Sequence, residues 1–369
     1  MERRNIVDMG RLNTYEKWLE KEGLPVFRDY SAAGLDTMPL KPWPRKGGLG
    51  AYLNLVGAEG VIDAYVCEIP PGGSLLPQRH VYEEVIYIMS GYGASTVWVE
   101  GSSKQTFEWQ EGSLFSPPLN TWHQHFNTQS DKPVRYFAVT RAPIFMNLFH
   151  DEDFIFNNSY VFKGRYSGEK DYFASKAKTL AGRNVWESNF IPDCRKTALV
   201  GEPEGGMGPM SVAFYELSDN LMNVHIAEHE VGTYKKAHYH TPGAHLLCLE
   251  GEGYSLMWPV DAGIDADHGR ARVKVDWHKY AVFSPPDRWF HQHFNTGKGP
   301  ARMVAFHAEQ SRKYTGTRKN WGIRGNVSIK DGGTQIEWQD EDPAVRRLFK
   351  QELAKTGAPY RMSQFFPGD

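Results

Sequence analysis

His238, Tyr239 and His240 follow Gly232 after five residues, and His291 and Asn295 come in a later segment behind Pro286. Residues i and i+2 of an extended strand face the same way. His238 and His240 therefore share a face when Tyr239 points out, and His291 must come to them from a distant strand. Three imidazoles on two strands can take one face of an octahedral metal ion and leave the opposite positions open. A closed structural site would fill every position with protein donors, so this set points to metal chemistry on something small that binds where the protein does not.

The stretch around His291 occurs twice. FSPPLNTWHQHFNT at 115–128 and FSPPDRWFHQHFNT at 283–296 align without a gap, with His123 and His291 168 residues apart. That is too long for a solenoid repeat and right for a duplicated domain. Upstream, IMSGYG at 88–93 answers LEGEGY at 249–254 with an offset of 160. The second copy has thus gained about eight residues, expected in the polar turn DAGIDADHGR before the strand RVKV. Downstream, Pro133-Val134-Arg135 answers Pro300-Ala301-Arg302. Gly 36 and Pro 22 are spread between short runs rich in Val, Tyr, Phe and Trp, the texture of short strands and tight turns. Outside the copies, 13–22 reads as a short helix with Asn13 as N-cap and Gly23 as stop. Residues 25–50 read as an extended arm outside the core, and 342–355 as a helix with Pro343 in its first turn.

With these residues in view, the chain resembles the cupin superfamily, whose two motifs read G-x5-H-x-H-x3,4-E-x6-G and G-x5-P-x-G-x2-H-x3-N. In the second copy the first motif fits at Gly232, His238, His240 and Gly251, but Ala244 stands in the glutamate's place. The segment HYHTPGAHLLCLEGEG at 238–253 resembles the iron-binding cupin of gentisate and salicylate 1,2-dioxygenases, which use three histidines without the glutamate. The resemblance implies an Fe(II) site at His238, His240 and His291, with Mn, Ni or Zn as alternatives. It also implies a dioxygenase that takes O₂ and a small aromatic or other chelating substrate. A second register of the motif would put His245 in the glutamate's place; strand alternation and the glycine spacing favour Ala244 facing inward. In the first copy Gly72, Gln78, His80, Glu84 and Gly91 fit the first motif, with Gln78 where a histidine belongs. Gly112, Pro118, Asn120, His123 and Asn127 fit the second. His80, Glu84 and His123 form a two-histidine, one-carboxylate set, with Gln78 as a weak neutral donor. This first site is open to loose metal binding, structural metal or catalysis.

The expected fold is all-β: two tandem cupin jelly-roll β-barrels with short N- and C-terminal helices. The divisions are 1–50 (helix and arm), 51–145 (first barrel), 146–205 (inter-barrel segment), 206–312 (second barrel) and 313–369 (extension with helix). Other inward-facing candidates are His125 and His293, two residues beyond each ligand, either as packing or as donors behind the site. Arg135 and Arg302 suit either a substrate carboxylate or a rim salt bridge. Trp122, Trp289 and Phe290 suit either an aromatic pocket or plain packing. Rival functions are an O₂-independent metal lyase, decarboxylase or isomerase, and a metabolite-binding or storage protein. Storage-type bicupins lack metal histidines, whereas five of six are kept here.

Lys+Arg 42 against Asp+Glu 44 gives a net charge of −2, which offers no footprint for nucleic acid or an anionic membrane. The start has no apolar core of a leader and no stretch reaches membrane-span length. The three cysteines, Cys67, Cys194 and Cys248, show no CxxC spacing. A cytoplasmic protein is expected, and the resemblance adds a homo-oligomer.

Overall fold

The computed structural model describes residues 13–58, 60–180, 185–201, 208–240, 243–308 and 327–366. The polar start at 1–12, Thr241 and Pro242 of the HxHTPG segment, and the front of the C-terminal extension lie outside them. The first barrel has eight main strands: β1 (Gly48–Leu53), β2 (Asp63–Ile69), β3 (Glu84–Ser90), β4 (Tyr92–Trp98), β5 (Gln105–Gln110), β6 (Leu114–Phe115), β7 (Trp122–Asn127) and β8 (Val134–Thr140). The second repeats them: β9 (Met210–Glu216), β10 (Asn223–His229), β11 (Ala244–Glu250), β12 (Glu252–Pro259), β13 (Val273–His278), β14 (Val282–Phe283), β15 (Trp289–Asn295) and β16 (Ala301–His307). Each barrel pairs a larger sheet, ordered β1-β2-β8-β3-β6 or β9-β10-β16-β11-β14, with a three-stranded sheet, β7-β4-β5 or β15-β12-β13. This is the expected all-β, double-barrel architecture.

Strand alternation sorts the side chains. On β11, Ala244, Leu246 and Cys248 face the interior of the second barrel with Met257, Trp277 and Phe283. Leu247 and Leu249 face the other way, into one core shared with Val66, Tyr87, Phe137 and Val139 of the first barrel. The two larger sheets thus bury their outer faces on each other.

Asn13 caps α1 (Thr14–Glu22) in a capping box with Glu16, and Gly23 ends it in the left-handed region at φ 68. The C-terminal helix, α4 here (Pro343–Thr356), starts at Asp342 and buries Val345, Phe349 and Leu353, whose i, i+4, i+8 spacing makes one stripe. Between the barrels lie α2 (Ala142–Phe149) and α3 (Glu152–Asn157). The arm departs from expectation: it is part of the core. Leu35 and Met38 are buried in the shared cluster, and Ser31–Ala32 pairs with Val282–Phe283, crossing to the second barrel. Alternating polarity is weak over two-residue strands, so only the long-range pairing marks them. Among the described residues no helix is long and apolar enough to cross a membrane, and the three cysteines are buried and free.

Candidate metal centres

The first barrel brings His80, Glu84 and His123 together, with their ligating atoms all within 4.8 Å of one another. His80 comes from the extended segment before β3, Glu84 opens β3, and His123 comes from β7 in the facing sheet. His80 Nε2 lies 3.6 Å from Glu84 Oε2, and His123 Nε2 lies 3.9 Å from it. Each imidazole turns its other nitrogen to a backbone carbonyl: His80 Nδ1 to Tyr82 at 2.8 Å and His123 Nδ1 to Thr121 at 3.0 Å. A carbonyl only accepts, so the ring proton sits on Nδ1 and the Nε2 lone pair points to the centre. His80 Nε2, His123 Nε2, Glu84 Oε2 and the neighbouring Gln78 Oε1 are all buried without a hydrogen-bond partner. Converging, unpartnered lone pairs are costly unless a cation satisfies them, so the donor set fits a divalent metal.

Glu84 is tied behind the centre. Its Oε1 accepts the Tyr65 hydroxyl at 2.6 Å, Lys46 Nζ stands 3.8 Å away, and Lys46 also donates to Tyr65 at 2.5 Å. Burial pushes the Glu84 carboxyl up, but Lys46, His80 and His123 outweigh it and hold it well below the usual range. Burial, with His80 and His125 nearby, holds His123 well below the ordinary imidazole value. Tyr82 stacks on the His80 ring at 3.8 Å and 6°, which locks its orientation.

The second barrel brings His238, His240 and His291 together within the same limit. Ring centroids are 4.3 Å apart for His238 and His291, and 4.7 Å for His240 and His291. His238 Nδ1 faces the Lys236 carbonyl and His291 Nδ1 the Trp289 carbonyl, both at 3.1 Å, so these two carry the same metal-ready tautomer. Burial, and behind it Lys235 for His238 and His240 for His291, holds both well below the usual imidazole range. The segment bearing His238 and His240 is extended but joins no long strand. It is held by a bridge to His291 and by the C-terminal extension, where Tyr239 N–H donates to Thr334 and Ile336 N–H donates to Ala237. Ala244 occupies the place of Glu84 and is 1% exposed.

The remaining candidates separate clearly. His245 lies on the opposite face of β11 from Ala244, pairs across with Phe306 of the shared core, and is not in the constellation; alternation removes it from the ligand set. Arg302 points away from the interior: it donates to Glu228 at 2.9 Å and to the carbonyls of Cys194 and Thr197, clamping the inter-barrel segment. Arg135 does the same to Glu68, Leu35 and Met38. Trp289 packs on Tyr30 of the arm and against the interior cluster of Ala244, Met257 and Phe283, and Phe290 packs on Trp258 and on Tyr239. His125 and His293 do face inward, hydrogen-bonded through Nδ1 to Ser95 and Ser255.

The sequence reading did not single out His225, His229, His307 or Lys235. His307 reaches the second centre with its ring 5.5 Å from His240, and its Nε2 pairs with His225 Nδ1 at 3.0 Å. Alternation along β10 and β16 was the available signal, since Val224, Ile226, Val304 and Phe306 all belong to the opposite face.

Residues 65–140 match the family model described as the cupin domain. The second barrel repeats the strand order of the first and shares two of its ligand positions, His240 for His80 and His291 for His123, so one region of the chain matches the cupin domain and a second barrel stands on the same plan, with two candidate metal triads. No curated protein matches the chain significantly. Solved structures that resemble it include a deletion mutant of Bacillus subtilis oxalate decarboxylase, at 15% identity and TM-score 0.48 over 77% of this chain and 78% of that one. Vicilin from Capsicum annuum shows 16% identity and TM-score 0.46 over 72% and 83%. Vicilin from Corylus avellana shows 12% and 0.47 over 76% and 86%. At these identities no activity carries over.

Proposed function

We propose that the chain is a non-heme Fe(II)-dependent dioxygenase acting on a small aromatic or other chelating substrate, with the second barrel as the working centre. The observation that supports this is the contrast between the triads. In the first, all three donors are buried and the carboxylate is tied to Tyr65 and Lys46; in the second, His240 is only half-buried and Ala244 contributes no donor. Three neutral imidazoles on one side suit an ion that must also accept two substrate oxygens and O₂. Bound there, the metal would supply the path for electron density from substrate to oxygen. The chain's part is orientation and dryness. The Lys236 and Trp289 carbonyls fix two ligand rings, and Met257, Trp277 and Phe283 line the interior below them.

The test is oxygen uptake by anaerobically iron-loaded protein offered hydroxybenzoates and diketones. Uptake that stops in His240→Ala and persists in His80→Ala supports the reading. No uptake with any chelator, or turnover without O₂ on manganese, overturns it and transfers attention to the first barrel, where the Glu84–Lys46 pair suits an O₂-independent lyase, decarboxylase or isomerase.

A further inference from the structure

The peptide that carries His238 and His240 is held along its two edges by different parts of the chain. On one edge His238 N–H donates to the His291 carbonyl at 3.2 Å, and His291 N–H donates back to the His238 carbonyl at 2.9 Å. On the other, Tyr239 N–H donates to the Thr334 carbonyl at 3.1 Å, and Ile336 N–H donates to the Ala237 carbonyl at 2.8 Å. His238 therefore has two bridge partners, His291 in the barrel and Gln335 in the C-terminal extension. Gln335 is fully buried and is backed in turn: its N–H donates to the Val327 carbonyl and its own carbonyl accepts Ile329 N–H. Glu337 closes the contact, accepting Gln335 Nε2 at 2.8 Å and pairing with Lys236 Nζ at 2.5 Å. In the first barrel Gln78 stands where His238 stands and exchanges the same two hydrogen bonds with His123, but it has no second bridge among the described residues.

The extension that supplies this second edge is anchored on the back of the same sheet. Side chains alternate along β15. His291 faces the candidate metal centre, while Phe290 and Phe294 face out, into a cluster with Ile336, Val345, Phe349 and Leu353 of the extension. Gln292, next to His291 in sequence, donates to Glu341 at 2.9 Å, just before α4. The strand bearing one ligand and the peptide bearing the other two thus share one support. A peptide held along one edge keeps backbone freedom that a second edge removes, and imidazoles converge on one ion only when their backbones are fixed. An ion that binds the ordered form stabilises it, and by linkage the ordered form binds the ion more tightly by the same factor.

We propose that residues 327–356 form a strap whose docking positions His238 and His240, so that docking of the extension and metal binding at the second centre are reciprocally coupled. Gln335 and Ile336 are positioning residues that act on the metal through the ligand-bearing peptide. The proposal rests on the reading given above only in taking the second triad as a metal site. The first centre lies outside this coupling, because its ligand-bearing peptide leans on α3 instead, where Val81 N–H donates to the Ile155 carbonyl at 3.1 Å.

The experiment uses the full chain carrying His80→Ala, which leaves the second triad as the zinc site, with zinc as the probe. It reads zinc affinity by chelator competition and amide hydrogen exchange with and without zinc. Zinc is expected to slow exchange at Tyr239, at Ile336 and along α4 by about tenfold or more, and to leave the amides of β3 and β8 in the first barrel unchanged. Ile336→Pro, which deletes the N–H bonded to Ala237, and Phe349→Ala, which loosens α4 on the far face of the sheet, are each expected to weaken zinc binding by about tenfold. Ile336→Val, which keeps the N–H, is expected to bind as the parent does. Equal slowing in both barrels, no slowing at Tyr239 and Ile336, unchanged affinity in Ile336→Pro or Phe349→Ala, or a loss as large in Ile336→Val overturns the proposal. The exchange result needs no variant of the strap, so it decides the question even where such a variant does not fold. Absence of zinc from this centre overturns the strap and the dioxygenase reading together, whereas zinc bound without oxygen uptake in the iron-loaded protein overturns the latter alone.

Discussion

Glu84 and Ala244 occupy the same place in the two barrels: Glu84 lies opposite Thr140 across β3 and β8, and Ala244 lies opposite His307 across β11 and β16. The exchange takes its surroundings with it. Tyr65, which donates to Glu84, is answered by His225 at the same register, and Thr140 is answered by His307. The space that one barrel gives to a carboxylate and its hydroxyl partner, the other gives to a hydrogen-bonded pair of imidazoles. One centre is thus charged and closed, the other neutral and more accessible.

The Glu84–Lys46 pair is buried on both sides, at 1% and 2% side-chain exposure. Removing one member leaves the other as an uncompensated charge, at a cost of about 3–5 kcal/mol. Glu84→Gln is therefore expected to lower stability by that order in denaturant unfolding and to empty the first site of metal. The double variant Glu84→Gln/Lys46→Met is expected to recover most of the stability and none of the metal. Equal stability of the single and double variants would show that the pair is not coupled.

Metal content separates the two centres. His80→Ala is expected to lose the metal equivalent of the first barrel alone, and His240→Ala that of the second, by elemental analysis after equilibrium dialysis. Ala244→Glu pushes a carboxylate against His307 and is expected to destabilise by about 1–3 kcal/mol through overpacking. Ala244→Glu/His307→Thr copies the Glu84/Thr140 pair and is expected to bind its ion more tightly than wild type. Weaker binding in the double variant would mean that His307 supports the centre rather than filling space.

Glu341 supplies a pH dependence whose sign follows from its burial. It accepts Tyr234 Oη at 2.7 Å and Gln292 Nε2 at 2.9 Å just before α4, and burial pushes its carboxyl up to about 7 against those two hydrogen bonds. A folded-state value raised above the unfolded one contributes stability that is full below the unfolded value and is lost as pH rises through about 7. The loss is on the order of 3 kcal/mol for a shift of this size. Asp63, pushed up to about 6 by burial, acts in the same direction. Buried histidines such as His229, pushed down to about 3, act oppositely below the unfolded imidazole value. The clean measurement is therefore the difference between wild type and Glu341→Gln. Wild type is expected to lose stability relative to the variant from pH 5 to pH 8, by chemical denaturation at each pH. A difference that stays constant over that range would refute the assignment.

Much of this architecture was legible from local signals. The repeated FSPP–HQHFNT stretch exposed the duplication, Asn13 and Asp342 marked two helix starts, and alternation placed Ala244 rather than His245 inward. Each of these signals is carried by a short contiguous stretch of sequence. The hydrogen bonds from Trp277 through Ser255 to His293 join three strands, the arm crosses to Val282 and Phe283, and the C-terminal extension supports the segment bearing His238. Such features depend on pairings of 22 to more than 200 residues along the chain, as in Trp277 with Ser255 and Ser31 with Phe283, and short motifs carry no record of register. Lys235 was hidden for a simpler reason: beside Lys236 it reads as a solvated charge, yet it is buried.

The hydrogen bonds from Trp277 to Ser255 and from Trp109 to Ser95 also rest on a pair of glycines. A Cβ on Gly253 would overlap the Phe294 carbonyl oxygen and the Trp277 ring, and one on Gly93 would overlap the Phe126 carbonyl oxygen and the Trp109 ring. Neither position has a positive φ, so the requirement is space for the indole, not backbone freedom. Gly253→Ala must therefore displace Trp277, and with it the donor to Ser255. The expected result is a loss of about 1–3 kcal/mol from overpacking, together with a changed Trp277 indole N–H signal. Gly93→Ala is expected to do the same to Trp109 and to leave the Trp277 signal as it was. If Gly253→Ala costs stability while the Trp277 indole signal stays where it was, the strain is taken up at the Phe294 carbonyl and not at the indole.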